Sequence, residues 1–262
     1  MDKVKRFLAK GYFPVQLPPG FSTESFAKAH KKVGKSWASL KPPTTRLEKF
    51  SVARTSYHRR IIGIPSPVAF YRLVVEIANY WSQIQKHYRK SKISLSQPKL
   101  KPADRAIQLT KFNALDEIRV LKSSGYRYAL VTDISRYFPT IYTHVIPWAL
   151  HGKEEAKKNT KKLTAKYFGN ILDNRSMGLQ SWQTISIPIG PDSSHVIAEL
   201  IGTAIDVDLK NELGYWPAGY RYVDDYYLFF ETRGDAERAL AHLARLMSNY
   251  ELQINADKTK IV

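Results

Sequence analysis

Apolar residues recur at helical spacing in several stretches of the chain. In Ser193–Leu213 they fall on one face, with Ser193 or Ser194 placed to cap the start and Gly214 placed to end the helix. The same spacing predicts further helices over Pro67–Tyr88, Asp116–Lys122, 153–168 and Asp235–Tyr250. The segment 153–168 is rich in lysine, so we expect its helix to be exposed.

Shorter apolar runs bounded by turn residues predict strands. These runs are Leu47–Ala53, Arg60–Ile64, Tyr126–Ile134, Tyr220–Val223, Tyr226–Phe230 and the end of Gln253–Val262. From Tyr126 onward the order is strand, helices, hairpin, helix and strand, which predicts an α+β fold with an antiparallel sheet backed by helices. The part before Leu47 is predicted to be irregular, because Tyr12–Pro14, Leu17–Gly20 and Lys41–Pro43 contain prolines that favour extended or turn backbone.

Positive charge is concentrated in the first part of the chain. The 262 residues carry 41 Lys and Arg against 23 Asp and Glu, a net charge of +18. Residues 1–115 hold 23 basic and 5 acidic side chains, whereas residues 116–262 hold 18 of each. We therefore divide the chain into a basic N-terminal extension over 1–115 and a second domain over 116–262, with a lysine-rich inserted segment near 151–176. The excess suits a phosphate backbone, although a solvated surface or attraction to anionic membranes explains it equally well.

The composition excludes several classes of protein. The chain has no cysteine, which rules out a disulfide framework, a thiolate metal site and a cysteine nucleophile. It has no apolar run of 18 residues, and its basic N-terminus leads into no signal-peptide core. We expect a soluble cytoplasmic protein without a membrane span.

Carboxylates stand at the ends of the predicted strands. Asp133 follows the apolar run Ala129–Thr132, and Asp224 and Asp225 join the two strands of the predicted hairpin. Phosphoryl transfer needs clustered oxygen ligands for two metal ions, which strand ends of one sheet can supply. Aspartate is also favoured in ordinary turns, so neither position decides the matter alone.

Five segments taken together resemble the motifs of reverse transcriptases. They are Arg59–Pro65, Thr132–Ile141, Ile187–Ser194, Tyr222–Asp225 and Asn255–Thr259, and they follow the family's order over roughly the last 200 residues. The resemblance implies a right-hand polymerase, with fingers within residues 1–115 and a palm over 116–262.

The resemblance also implies a metal site. Asp133 and Asp224 would be the main ligands, with Asp225 beside them and Ile134 next to the first aspartate. Magnesium is the expected ion, with manganese as the alternative.

Nucleotide contacts follow from the same resemblance. Phe138 would exclude a 2′-hydroxyl and favour deoxynucleoside triphosphates, although without the motif it reads as a core aromatic. Arg59 or Arg60 would reach the triphosphate, and Lys258 would act near the leaving pyrophosphate; ordinary surface charge is the alternative for these cations. Gly190 would allow the backbone to approach the nucleotide or primer end closely. His144 is expected to have a local structural role.

Two sequence features indicate a branch of the family. Ile189 stands where many members have Gln, and Gly11–Pro14 followed by Leu17–Pro19 is similar to the start of bacterial abortive-infection and defence-associated members. Some members of that branch extend DNA without a template from a protein hydroxyl. The sequence also stops soon after the fourth palm motif, so we expect the thumb to be absent and to come from a longer chain or from elsewhere.

Three functions remain open at this stage. The first is an anti-phage DNA polymerase that acts without a template and is protein-primed, and the second is a templated enzyme of the retron or group II intron type. The third is an inactive nucleic-acid-binding scaffold. DNA or RNA is the expected partner in each case, and a homo-oligomer stays open.

Overall fold

The computed structural model describes residues 2–17, 20–38, 40, 44–55, 57–111 and 113–262. Pro18 and Pro19 of the predicted segment Leu17–Gly20, and the whole of the segment Lys41–Pro43, therefore lie outside the described residues. The helices are α1 (Lys3–Lys10), α2 (Glu24–Ala38), α3 (Pro67–Asn79), α4 (Trp81–Tyr88), α5 (Asn113–Ser123), α6 (Tyr137–Thr140), α7 (Val145–His151), α8 (Lys153–Lys158), α9 (Phe168–Gly178), α10 (Asp192–Leu213) and α11 (Arg233–Asn249). The strands are β1 (Glu48–Ala53), β2 (Arg59–Ile64), β3 (Tyr128–Asp133), β4 (Ala218–Tyr222), β5 (Asp225–Phe230) and β6 (Lys260–Ile261).

A four-stranded antiparallel sheet is built from strands between residues 128 and 261. Its strand order is β4-β5-β3-β6, so the predicted hairpin β4–β5 lies beside β3. Helix α11 packs on β3 and β5, and α10 packs against α11, α7 and α4. The buried residues of α10 lie all around its circumference, which makes it the central helix of the core. The predicted antiparallel sheet backed by helices is confirmed.

A second sheet joins β1 and β2 in an antiparallel pair. The backbone N–H of Gly63 in β2 donates to the carbonyl of Ile189 at 2.9 Å. The two-stranded sheet is thus attached to the loop 187–191, immediately before α10.

The prediction of an irregular N-terminal part is wrong, because α1 and α2 fold there and pack together. Asp2 caps α1 by accepting from the Lys5 N–H at 3.0 Å, and Phe7 and Leu8 are fully buried. Both helices are strongly amphipathic, with apolar residues on one side and lysines on the other, so the sequence does carry their helical period. The prolines between and after them outweighed it in the prediction.

Two predicted helices are interrupted. The segment Pro67–Tyr88 breaks at Tyr80, whose ring stacks on Phe168 with centroids 5.0 Å apart. The lysine-rich helix ends at Lys158, because the side chain of Asn159 turns back to the Glu155 carbonyl at 2.9 Å. Only a short 3-10 turn at Ala165–Tyr167 follows before α9.

The ends of α10 confirm one predicted cap and correct the other. Gly214 ends the helix in the left-handed region, with φ 81°, as predicted. The helix begins at Asp192 rather than at a serine, and Ser194 instead donates its hydroxyl to the Pro188 carbonyl at 2.6 Å. No helix among the described residues combines the length and the apolar character needed to cross a membrane.

Candidate active site

The hairpin β4–β5 presents Asp224 and Asp225 beside the end of β3. Asp133 is the register partner of Asp225, and the Ile134 N–H donates to the Asp224 carbonyl at 3.2 Å. On the other side of β3, the Asn255 N–H donates to the Asp133 carbonyl at 3.0 Å. Backbone pairing therefore brings the ends of three segments, and the three predicted aspartates, to one edge of the sheet.

Asp133 is buried and only partly satisfied. Its Oδ2 accepts a short hydrogen bond from the Lys258 ammonium, whereas its Oδ1 has no partner. This hydrogen bond raises the pKa of Lys258. The structure thus places Lys258 on a candidate metal ligand, and its action at a pyrophosphate stays a prediction.

The surroundings of Asp224 and Asp225 disfavour the ionised form of both side chains. Burial raises the pKa of Asp224 to about 6, with added repulsion from Asp225 and then Asp133. Burial also raises the pKa of Asp225, and the charge of Asp133 adds to that rise. An added cation would relieve both effects.

The donor chemistry fits a hard divalent cation. All the side-chain donors are carboxylate oxygens, which Mg²⁺ and Mn²⁺ accept, and Asp133 Oδ1 is an unused buried acceptor. The Ile134 side chain is buried and carries no donor atom, so this residue can ligate only through its carbonyl oxygen. Within the described ranges, no three His, Cys, Asp or Glu side chains already converge as a metal cluster.

Phe138 lies next to this edge, on the first turn after β3. Arg136 opens α6 in the left-handed region, with φ 47°, and the Tyr137 hydroxyl donates to the Ala198 carbonyl at 2.7 Å. With Tyr137 anchored in the core, Phe138 stays only partly buried, and its ring meets His195 edge-on at 5.3 Å. Burial lowers the pKa of His195. His195 did not stand out in the sequence, because a single histidine in the first turn of a helix carries no motif.

The loop that contains Gly190 is packed from behind by the N-terminal segment. Gly190 has φ +132°, and a Cβ there would lie 2.8 Å from Pro14 Cβ. Arg105 donates to Asp192 at 3.0 Å, to the Phe13 carbonyl at 2.7 Å and to the Gly190 carbonyl at 3.3 Å. The glycine is thus required by backbone conformation and by Pro14. Close approach to a nucleotide stays a prediction.

Arg59 and Arg60, which were expected to reach the triphosphate, lie on the β1–β2 hairpin. Arg59 turns back onto its own hairpin and donates to the Ser51 carbonyl at 2.8 Å, while Arg60 is exposed. The positive charge of Arg54, which follows β1, offsets only a small part of the rise in the pKa of Asp225 that burial and Asp133 cause. The hairpin thus places a different arginine where its charge acts on the aspartates, and sequence spacing did not single it out.

His144 lies outside this group of residues. Its Nδ1 is 2.5 Å from Asp173 Oδ2, and this hydrogen bond raises the histidine pKa. The contact joins the start of α7 to α9, in keeping with the expected structural role.

Comparisons with known proteins bear on the family and on the fold. A family model described as reverse transcriptase (RNA-dependent DNA polymerase) matches residues 60–262. A solved structure of apo telomerase from Candida tropicalis, truncated from its C-terminal domain, is similar with a TM-score of 0.54 and 11% sequence identity. The similarity covers 92% of this chain but 56% of that one, and at this identity it shows the fold alone. No curated protein matched the sequence.

Proposed function

Because the chain belongs to the reverse transcriptase family, we propose that it is a nucleotidyltransferase that adds deoxynucleotides to a primer end. The observation that carries the proposal is the register of β3 and β5, which sets Asp133 opposite Asp225 at the strand ends. The unused Asp133 Oδ1 and the raised pKa values of Asp224 and Asp225 fit a site made for cations.

Each residue of the site has a role in this proposal. Asp133 and Asp224 hold magnesium or manganese, with Asp225 and the Ile134 carbonyl as further oxygens. When bound, the metal supplies charge compensation for the attacking and leaving oxygens. Lys258, which donates a hydrogen bond to Asp133, offers its ammonium protons to the departing pyrophosphate.

The substrate pocket is formed around the same edge. Phe138, backed by His195, blocks the space of a 2′-hydroxyl and so selects deoxynucleoside triphosphates. Arg54, with Arg59 and Arg60 on the same hairpin, attracts the triphosphate. The net charge of residues 1–115 suits a DNA or RNA strand along this part of the molecule.

The metal-ligand assignment is tested by Asp224→Asn. We expect nucleotide incorporation to fall by at least a hundredfold while the melting temperature stays within a few degrees of the wild type, because the variant removes one ligand charge. Asp208→Asn is the matched control, since burial also raises the pKa of Asp208, on α10, where it bonds the Tyr250 hydroxyl. Incorporation at the wild-type rate by Asp224→Asn would overturn the assignment.

The finer proposal is an anti-phage polymerase that works without a template and starts from a protein hydroxyl. It is supported by the sequence at Ile189 and Gly11–Pro14, and the structure adds that these two segments belong to one packed unit through Arg105. A loop supported by the N-terminal segment in this way offers an apolar side chain where a templated enzyme has an amide.

Labelled deoxynucleotides separate this function from its rivals. The chain is incubated with each one, with and without an RNA template, and resolved on a denaturing gel before and after protease. A protease-sensitive product without template supports the finer proposal, whereas a template-dependent product supports the retron or intron type. Nucleic-acid binding without incorporation under either metal would favour the inactive scaffold.

A further inference from the structure

A fully buried arginine lies directly beneath the Asp224–Asp225 turn. Arg221, in β4, has no exposed surface, and its guanidinium faces two carboxylates of α10. Its Nε is 2.9 Å from Asp206 Oδ1, and its NH2 is 2.9 Å from Glu199 Oε1. The helix makes room for it at Gly202, where a Cβ would lie 2.6 Å from the guanidinium carbon.

Three serines from the segment that follows α4 complete this buried cluster. Ser91 donates to Asp206 at 2.7 Å, Ser94 donates to Glu199 at 2.5 Å, and Ser96 donates to Glu199 at 2.8 Å. The segment also runs alongside β4, because the Leu95 N–H donates to the Arg221 carbonyl at 2.8 Å. A buried group of charges does not by itself stabilise a fold, because desolvation offsets much of the attraction. The hydrogen bonds from this cluster to other parts of the chain therefore point to its role.

Two such contacts reach the same residue, Val223. The NH1 of Arg221 donates to the Val223 carbonyl at 2.9 Å, and the Val223 N–H donates to Ser96 Oγ at 2.9 Å. Val223 has φ 57°, a left-handed conformation that is unfavourable for a β-branched residue. The cluster therefore bonds the N–H and the carbonyl of Val223 and so holds this residue in a backbone conformation that is unfavourable for valine.

We propose that Arg221, Ser96 and Glu199 form a positioning bracket that sets the orientation of Asp224 and Asp225 for metal binding. Val223 is the residue immediately before Asp224, so its backbone conformation decides where the two carboxylates point. Arg221 and Ser96 are positioning residues, since they act through Val223 and touch no reacting atom. The inference rests on the proposed function only for the claim that the turn binds metal. The hydrogen bonds that hold the turn do not depend on that function.

The test uses Ser96→Ala, because removal of Arg221 would leave Glu199 and Asp206 unpaired and risks unfolding. Ser176→Ala is the matched control: Ser176 is equally buried and donates to a single carbonyl, that of Leu172 at 2.8 Å, within α9. Amide hydrogen exchange of the 222–225 segment is followed in the metal-free protein. Manganese binding is measured by electron paramagnetic resonance, and the magnesium dependence of incorporation is measured in parallel.

In Ser96→Ala we expect faster exchange at Val223 and a rise of about fivefold in the manganese dissociation constant, the factor that one net hydrogen bond of about 1 kcal/mol corresponds to. The magnesium concentration for half-maximal incorporation should rise in the same proportion, with little change in the KM for nucleotide. Ser176→Ala should change none of these quantities. Exchange and metal affinity in Ser96→Ala equal to those of Ser176→Ala would overturn the bracket. If the wild type neither binds metal nor incorporates nucleotide, the proposed function fails, while the exchange rates still decide whether the bracket exists.

Discussion

Replacement of Gly190 by alanine should destabilise the fold for two reasons that can be measured separately. The new Cβ meets two obstacles, a backbone at φ +132° and the ring of Pro14. Backbone of this kind costs about 1 to 3 kcal/mol for a non-glycine residue, and an overpacked contact costs about 1 to 3 kcal/mol more. We therefore expect Gly190→Ala to lower the free energy of unfolding by about 2 to 6 kcal/mol.

A double-mutant cycle with Pro14→Gly isolates the contact, because glycine removes both ring carbons of Pro14 that the new Cβ would meet. The double variant should recover the overpacking part, giving a coupling of about 1 to 3 kcal/mol in urea unfolding, while the backbone part remains. Gly178→Ala serves as a control, since its Cβ would meet nothing within 4 Å. Strict additivity of the two substitutions would refute the packing explanation.

The same cycle tests the role expected for Gly190 in nucleotide binding. If glycine is needed at position 190 only to avoid a clash with Pro14, the double variant should have the wild-type KM for deoxynucleotides. If the backbone must approach the nucleotide, the KM should stay raised in both backgrounds.

Three further predictions follow from the site and its surroundings. The pKa of Asp224 is raised to about 6, so the free energy of unfolding of the metal-free protein should fall as pH rises from about 4 to 6. Metal affinity should rise as pH passes about 6. Asp224→Asn should flatten both curves, measured by unfolding and by metal-binding titrations at a series of pH values. Phe138→Ala should reduce discrimination against ribonucleotides at least tenfold in single-turnover incorporation, and unchanged discrimination would contradict its role as a gate. Asp173 raises the pKa of His144, so this pair should contribute stability that is full below pH 6.5 and is lost as pH rises through the folded pKa. Asp173→Asn should remove that dependence, and an unaltered pH profile would contradict it.

The parts of the fold that could be predicted are those in which neighbouring residues carry the information. The β4–β5 hairpin and α10 have long apolar patterns, and Gly214 ends its helix by a local rule. The juxtaposition of Asp133 with Asp225 also followed from strand order, because strands of one sheet end at shared edges.

The remainder depends on contacts between distant segments. Arg221 gives no local sign of its burial, since its partners in the 91–96 segment lie more than a hundred residues earlier. The reason for a glycine at position 190 gives no local sign either, because Pro14 lies near the N-terminus, far from Gly190 in the sequence. Helices α1 and α2 were missed because the prolines around them outweighed an amphipathic period that the sequence does carry.

The ion pair between Lys258 and Asp133 bears on how a metal ion would enter the proposed site. The ammonium offsets the charge of a buried carboxylate before any cation arrives, so folding does not depend on the ion in the way that it does in zinc fingers. Chelators should therefore leave the fold intact and remove only the cofactor. An arriving cation must then compete with a tethered counterion, which favours a divalent ion over the monovalent salt of the medium.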